Sequence, residues 1–163
     1  MKRARLVALA LGVASVGSCK GNEEVTLVLL DPCADEAGVS FKESSVYTEI
    51  LVVKDGCPSD EDLALGKVEG IEFQGVAESG GKLPSVGDLG KGKYGFVVLA
   101  KDANCGVIGF GCTAADLENI REVRIAVRAW TSGDTCQPLS GGKCPAPKTC
   151  NEGRCVESGD GGT

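Results

Sequence analysis

The chain has 163 residues, with 17 Lys and Arg against 23 Asp and Glu, nine cysteines, no histidine and only 4% aromatic residues. Without histidine a Ser-His-Asp triad is excluded and the commonest general base is missing. The acidic balance repels nucleic-acid phosphates, so no nucleic-acid partner is expected, and a core with so few rings must rest on Val, Leu, Ile and cystines.

Three cations, Lys2, Arg3 and Arg5, precede an apolar run over residues 6–16 that is too short to cross a bilayer, and small residues ending in Cys19 follow. That layout predicts a secretory signal over residues 1–18. Its end, Val16-Gly17-Ser18-Cys19, resembles the lipobox of bacterial lipoproteins. The resemblance implies cleavage after Ser18, a diacylglyceryl group on Cys19 and acylation of the new amino terminus. Two or more acyl chains such as palmitate, at about 0.8 kcal/mol per buried methylene, give stable anchoring. The expected membrane partner is therefore met through lipid. Lys20 is not the aspartate that retains many lipoproteins at the inner membrane, which favours the outer membrane over the inner.

Residues 19–163 carry fourteen cations against 23 carboxylates, a formal charge of about −9, and their length suits one domain with a small appendage. Residues 19–23 read as a tether. A strand is predicted at 24–31 (EVTLVLLD), apolar on both faces and hence interior, then a loop to Glu43. A second strand spans 45–54 and ends at Asp55-Gly56. Ser59 with Asp62 predicts a capped helical turn over 60–65, stopped by Gly66.

Residues 67–77 form a weaker strand with Ile71 and Phe73 on one face, Glu72 and Gln74 on the other, and bends or bulges expected at Gly70 and Gly75. A glycine-rich surface loop fills 78–92. The strongest strand is 93–100 (KYGFVVLA), apolar on both faces as a central strand should be. A turn follows, then a short strand over 105–112 and a helical turn opened by Thr113 with Asp116 completing its cap. The strand at 121–130 alternates, with Val123, Ile125, Val127 and Ala129 facing inward and Arg124, Arg128 and Trp130 outward. Arg124, Arg128 and Trp130 are thus a candidate interaction surface with a protein partner, Trp and Arg being enriched in binding hot spots, although a lone large aromatic is seldom left in water and the favoured place for Trp130 is beneath the tail.

Eight cysteines remain beside Cys19: Cys33, Cys57, Cys105, Cys112, Cys136, Cys144, Cys150 and Cys155. An even number in an exported chain predicts disulfides. No C-x-x-C pair exists, so no metal site is expected. The last four are spaced C-x7-C-x5-C-x4-C in a segment too poor in apolar residues to hold itself together, which predicts two cystines internal to the tail. The first four then pair among themselves. Cys105 and Cys112 lie at opposite ends of a predicted strand, about 23 Å apart if extended, so Cys57 is expected to reach one of them.

The run KYGFVVLAKDANCGVIGFGCTAADL, with VVKDGCPSDEDLALG upstream and the cysteine-bearing tail, resembles small exported lipoproteins of myxobacterial type that have no assigned activity. The tail also resembles cystine-rich modules that serve adhesion, inhibition or capping. Asp55, Asp60, Glu61 and Asp62 gather at a turn as solvated acids, and the chain lacks the Walker and EF-hand patterns. The reading is an all-β protein, an antiparallel β-sandwich of six to seven strands over residues 24–131. A disulfide-rich appendage follows at 132–157 and a disordered end at 158–163. It is expected to bind or display, without cofactor, and not to catalyse; the alternative is a protease-inhibitor-like or adhesion role for the tail, centred on residues 143–148.

Overall fold

The computed structural model describes residues 24–34, 40–128 and 141–158. Within them the chain is strand-rich, with two short helices: β1 (Thr26–Leu30), α1 (Phe41–Ser44), β2 (Tyr47–Lys54), α2 (Asp60–Ala64), β3 (Ile71–Glu78), β4 (Lys93–Lys101), β5 (Val107–Asp116), β6 (Glu122–Ala126), β7 (Lys148–Asn151) and β8 (Arg154–Glu157). Four strands make an antiparallel sheet in the order β3-β2-β4-β5. β1 and β6 pair in parallel, and β7 and β8 form an antiparallel hairpin. Among the described residues no helix is long and apolar enough to cross a membrane.

Alternation sends the central strands' side chains to two faces. On one, Ile50, Val52, Phe96 and Val98 pack with Val123, Ile125 and Val127 and, on β1, Leu27 and Leu29. On the other, Leu51, Val53, Val97 and Leu99 pack with Leu63 of α2 and with Val107 and Phe110 of β5. The central placement expected of residues 93–100 holds, since β4 lies between β2 and β5 and its residues 94–101 are all buried.

α2 follows its sequence signal. Ser59 accepts the Asp62 N–H at 3.2 Å, and Gly66 takes the left-handed conformation that ends the helix.

Several expectations are corrected. β1 is not an interior strand: among the described residues it pairs only with β6, and its burial is partial. The stretch after it holds one helical turn, α1, whose Phe41 is buried against the first face. Residues 78–92 are not a bare surface loop, because Val86 is buried and Leu83 and Leu89 pack on the core.

Ile71 and Phe73 do not share a face. The β2–β3 register shifts between Val52 and Val53, placing Phe73 opposite Val52 and Ile71 opposite Val53, so the bulge falls at Glu72 and not at a glycine.

The helical turn at Thr113 is absent, because residues 113–116 continue β5. Tyr94 pairs with Ala115 and Lys93 with Asp116, so ladder pairing to β4 overrides the capping signal. The Asp116 carboxylate instead accepts the Glu118 N–H at 3.1 Å in the following turn.

Glycine at 111 has a packing reason. A Cβ there would fall on the Ala126 carbonyl, and the close approach lets the chain just past β6 bridge to β5 through reciprocal 2.9 Å bonds between Phe110 and Arg128. Thr113 Oγ1 adds a 2.8 Å bond to the Arg124 carbonyl.

The cystines are Cys57–Cys112, Cys105–Cys150 and Cys144–Cys155, with Cα separations of 5.9, 5.5 and 5.4 Å. Cys33 is also disulfide-bonded. Cys57 does reach one end of the 105–112 strand, as expected. The separate pairing of body and tail does not hold, because Cys105–Cys150 joins them. Cys150 and Cys155 face each other across the hairpin yet bond outward, one to the body and one to Cys144. Cys19, Cys136 and Trp130 lie outside the described residues.

Candidate functional site

The second face of the sheet is covered in two pieces. α2 caps one part through Leu63, and the β7–β8 hairpin covers another. Between them lies a cavity of about 500 Å³, within the range typical of small-molecule sites. Its floor is Glu49 and Leu51 of β2, Gln74 of β3 and Lys101 of β4. One wall is the α2 exit from Ala64 to Val68, and the other is Cys105, Gly106 and the tail around Lys143 and Lys148.

The floor carries a buried ion pair. Lys101 Nζ lies 2.5 Å from Glu49 Oε2, with both side chains less than a tenth exposed. The other carboxylate oxygen accepts Gln74 Nε2 at 2.6 Å, and Lys101 also donates to the Gly153 carbonyl at 3.1 Å. Each charge therefore has a second partner, as a buried ion pair requires to offset desolvation. The network runs from β3 through β2 and β4 into the hairpin turn.

The hairpin is seated by close backbone approach. A Cβ on Gly153 would stand 2.8 Å from Tyr47 Cβ, and one on Gly106 would fall on the Gly142 backbone. Arg154 donates to the Gln74 carbonyl at 3.3 Å. The β4–β5 connection is fixed by Asp102, whose Oδ1 accepts the N–H groups of Asn104 and Gly106, each at 2.8 Å. That tight turn holds Cys105 at a left-handed φ of 63° and aims it at Cys150. Cys105–Cys150 and Cys144–Cys155 meet here, with the Sγ atoms of Cys105, Cys144 and Cys155 within 4.8 Å of one another. As cystine sulfurs they are not the thiolates that a zinc ion or a nucleophilic reaction needs.

Four of the eleven lysines, Lys67, Lys101, Lys143 and Lys148, line the cavity. Among the described residues its one lining carboxylate is Glu49, already bound to Lys101, while Glu157 stands 3.6 Å from Lys148 outside the lining. At the rim, Leu65 and Ile71 are among the large apolar side chains left exposed.

Arg124 and Arg128 are exposed, and both line a second, more polar depression of about 460 Å³ beside Cys57 and Cys112. Arg124 is tied to Glu122 at 2.8 Å. Of the turn acids, Asp62 accepts the Ser59 hydroxyl at 2.6 Å, which is a capping role.

The network of Glu49, Gln74 and Lys101 was not singled out in the sequence. A signal existed: Glu49 and Lys101 are charges inside apolar strands, where burial demands a partner. No protein family matches the chain, and no curated protein and no solved structure is significantly similar to it.

Proposed function

We propose that this is an exported protein, lipid-anchored through Cys19 at the outer membrane, whose body binds a small ligand in the cavity between α2 and the tail hairpin without catalysing a reaction. The reading of the body is a sandwich, with β3-β2-β4-β5 as one layer and the β1–β6 pair as the other. One observation carries the binding role. A cavity of about 500 Å³ is framed by a satisfied ion pair and two cystines, while its polar groups are lysines, an amide and one occupied carboxylate. Such a lining can orient a ligand, and among the described residues it presents no histidine, unpaired carboxylate or thiolate. Cystines at its wall suit an oxidising compartment, in keeping with the export signal. The kinship with small myxobacterial-type lipoproteins belongs to this proposal and rests on the sequence resemblance.

Intact-mass measurement of protein recovered gently from its own envelope tests the reading. The expected mass corresponds to cleavage before Cys19, added acyl groups and eight oxidised thiols. An unmodified Cys19 removes the anchor, and free thiols at Cys105, Cys144, Cys150 or Cys155, located by peptide mapping, remove the braced cavity.

A second reading is supported by the exposure of Lys143 and residues 145–148 on a segment held by Cys144–Cys155 and Cys105–Cys150. A preorganised loop of this kind suits protease inhibition or adhesion. Slowing of a panel of serine and cysteine proteases by the full chain supports inhibition; unaltered rates end it.

A further inference from the structure

Resting on the proposal that the cavity is a ligand site, we infer that its ligand is a small organic anion with an apolar body, a carboxylate on a hydrocarbon or aromatic frame. Charge is the first argument. The chain is acidic overall, with a formal charge of −6, yet the cavity gathers Lys67, Lys143 and Lys148 around a floor whose one carboxylate is already neutralised by Lys101. Surface lysines interspersed with acids signify only solubility, whereas exposed lysines gathered around one concavity raise the local concentration of anions. The three lysines come from separate elements, Lys67 from the α2–β3 connection and Lys143 and Lys148 from the tail. No single helix or strand pattern accounts for their convergence.

The second argument is the apolar lining. Leu51, Val68 and Val107 lie within, and Leu65 and Ile71 stand at the rim with 61% and 43% exposure. Ile71 reaches this face only because the bulge at Glu72 reverses the alternation of β3. Apolar surface of this kind gains from removal from water by a matching ligand. An inorganic anion would use the lysines and leave that surface wet. A neutral hydrocarbon would use the surface and leave the lysines without a role.

The test is calorimetric titration of the full chain carrying Cys19→Ser, so that no acyl chain competes, with phenylbutyrate, phenylbutylamine and phenylbutanol. These share one apolar body and differ in charge. The expected order places the carboxylate tightest and the amine weakest, with affinity falling as salt rises. Reversal of the three accessible lysines, Lys67→Glu, Lys143→Glu and Lys148→Glu together, weakens phenylbutyrate binding roughly tenfold or more, by opposing charge at close range. An equal charge change at Lys82, Lys91 and Lys93, none of which lines the cavity, leaves it within about twofold, as expected of screened, distant charges. Lys67→Glu alone leaves the tail untouched and gives a smaller loss of the same sign, which separates lost binding from lost folding of the hairpin. Equal affinity for all three compounds, or equal effects of the two triple variants, overturns the anion inference while the ligand site stands. Absence of binding by every compound overturns both.

Discussion

The two faces of the central sheet are held by different means. The first face buries Ile50, Val52, Phe96 and Val98 completely beneath β1, β6, Phe41 and the 79–92 connection, while the buried charged residues among those described, Glu49 and Lys101, lie on the other face. The second face has its own apolar cluster under α2 but gives way to an ion pair, a cavity and a hairpin held by a cystine. Where covering segments supply enough Val, Leu and Ile, burial alone suffices. Where the cover is the tail, poor in such residues, a covalent bond and a polar network take over. The site sits at that change of cover because a surface closed by packing leaves no room for a ligand.

Truncation on the first face should have the largest effect. Phe96 is fully buried at the centre of that cluster, so Phe96→Ala is expected to destabilise by about 3–5 kcal/mol. Urea unfolding of the non-reduced protein would register this as a lower midpoint with little change of slope. On the second face, Lys101→Met leaves the Glu49 carboxylate buried without its cation, and the expected loss is about 3 kcal/mol. The double variant Glu49→Leu with Lys101→Met removes both charges and should recover most of it. A double variant as unstable as the single one would mean that the network, and not the stranded charge, matters.

How far the sequence spoke for this division can be followed residue by residue. The alternation of Val123, Ile125 and Val127 against Glu122, Arg124 and Arg128 predicted β6 correctly, and continuous apolar character predicted β4, because burial leaves its period in the sequence. Ser59 and Gly66 marked α2 through local backbone chemistry. The errors lie where partners decide. Thr113 and Asp116 carry a capping pattern, but β4 was available to pair with them, and nothing local announces that. Nothing local marks Gly111 either, although its lack of a side chain is what admits the Ala126 carbonyl at the end of β6. Ile71 and Phe73 are two apart, so a face was assigned from period 2, and a single extra residue at Glu72 undid it. The cavity was least legible, since Glu49, Lys67, Lys101 and Lys143 are far apart in the chain and meet only through the sheet and the Cys105–Cys150 bond.

That bond offers a sharper probe of the comparison. Replacing Cys105 and Cys150 together by Ala should uncouple the hairpin while leaving both apolar clusters intact. The covalent contribution, about 2–4 kcal/mol in chain-entropy terms, should be lost mainly from the tail. Hydrogen exchange is expected to accelerate at Thr149, Val156 and neighbouring hairpin amides, with β4 amides near their original protection. Uniform acceleration across β4 would show instead that the two faces unfold as one unit.

The smallest effect concerns the edge next to the bulge. Lys54 Nζ lies 3.0 Å from Glu72 Oε1, and the hydrogen bond to that carboxylate, with its charge, raises the Lys54 pKa above the ordinary 10.5. Because the folded-state pKa is the higher one, the pair's stabilisation is fully present below the unfolded value. It is lost as pH rises through the folded value. Both side chains are well exposed, so solvent screening keeps the contribution small. Lys54→Met should therefore lower the urea midpoint slightly at pH 8 and make no difference once the pH has risen past the folded-state pKa of Lys54. The informative quantity is the gap between parent and variant at each pH. A gap that persists or widens at alkaline pH would assign the effect of Lys54 to the packing of its methylenes at the bulge, not to its charge.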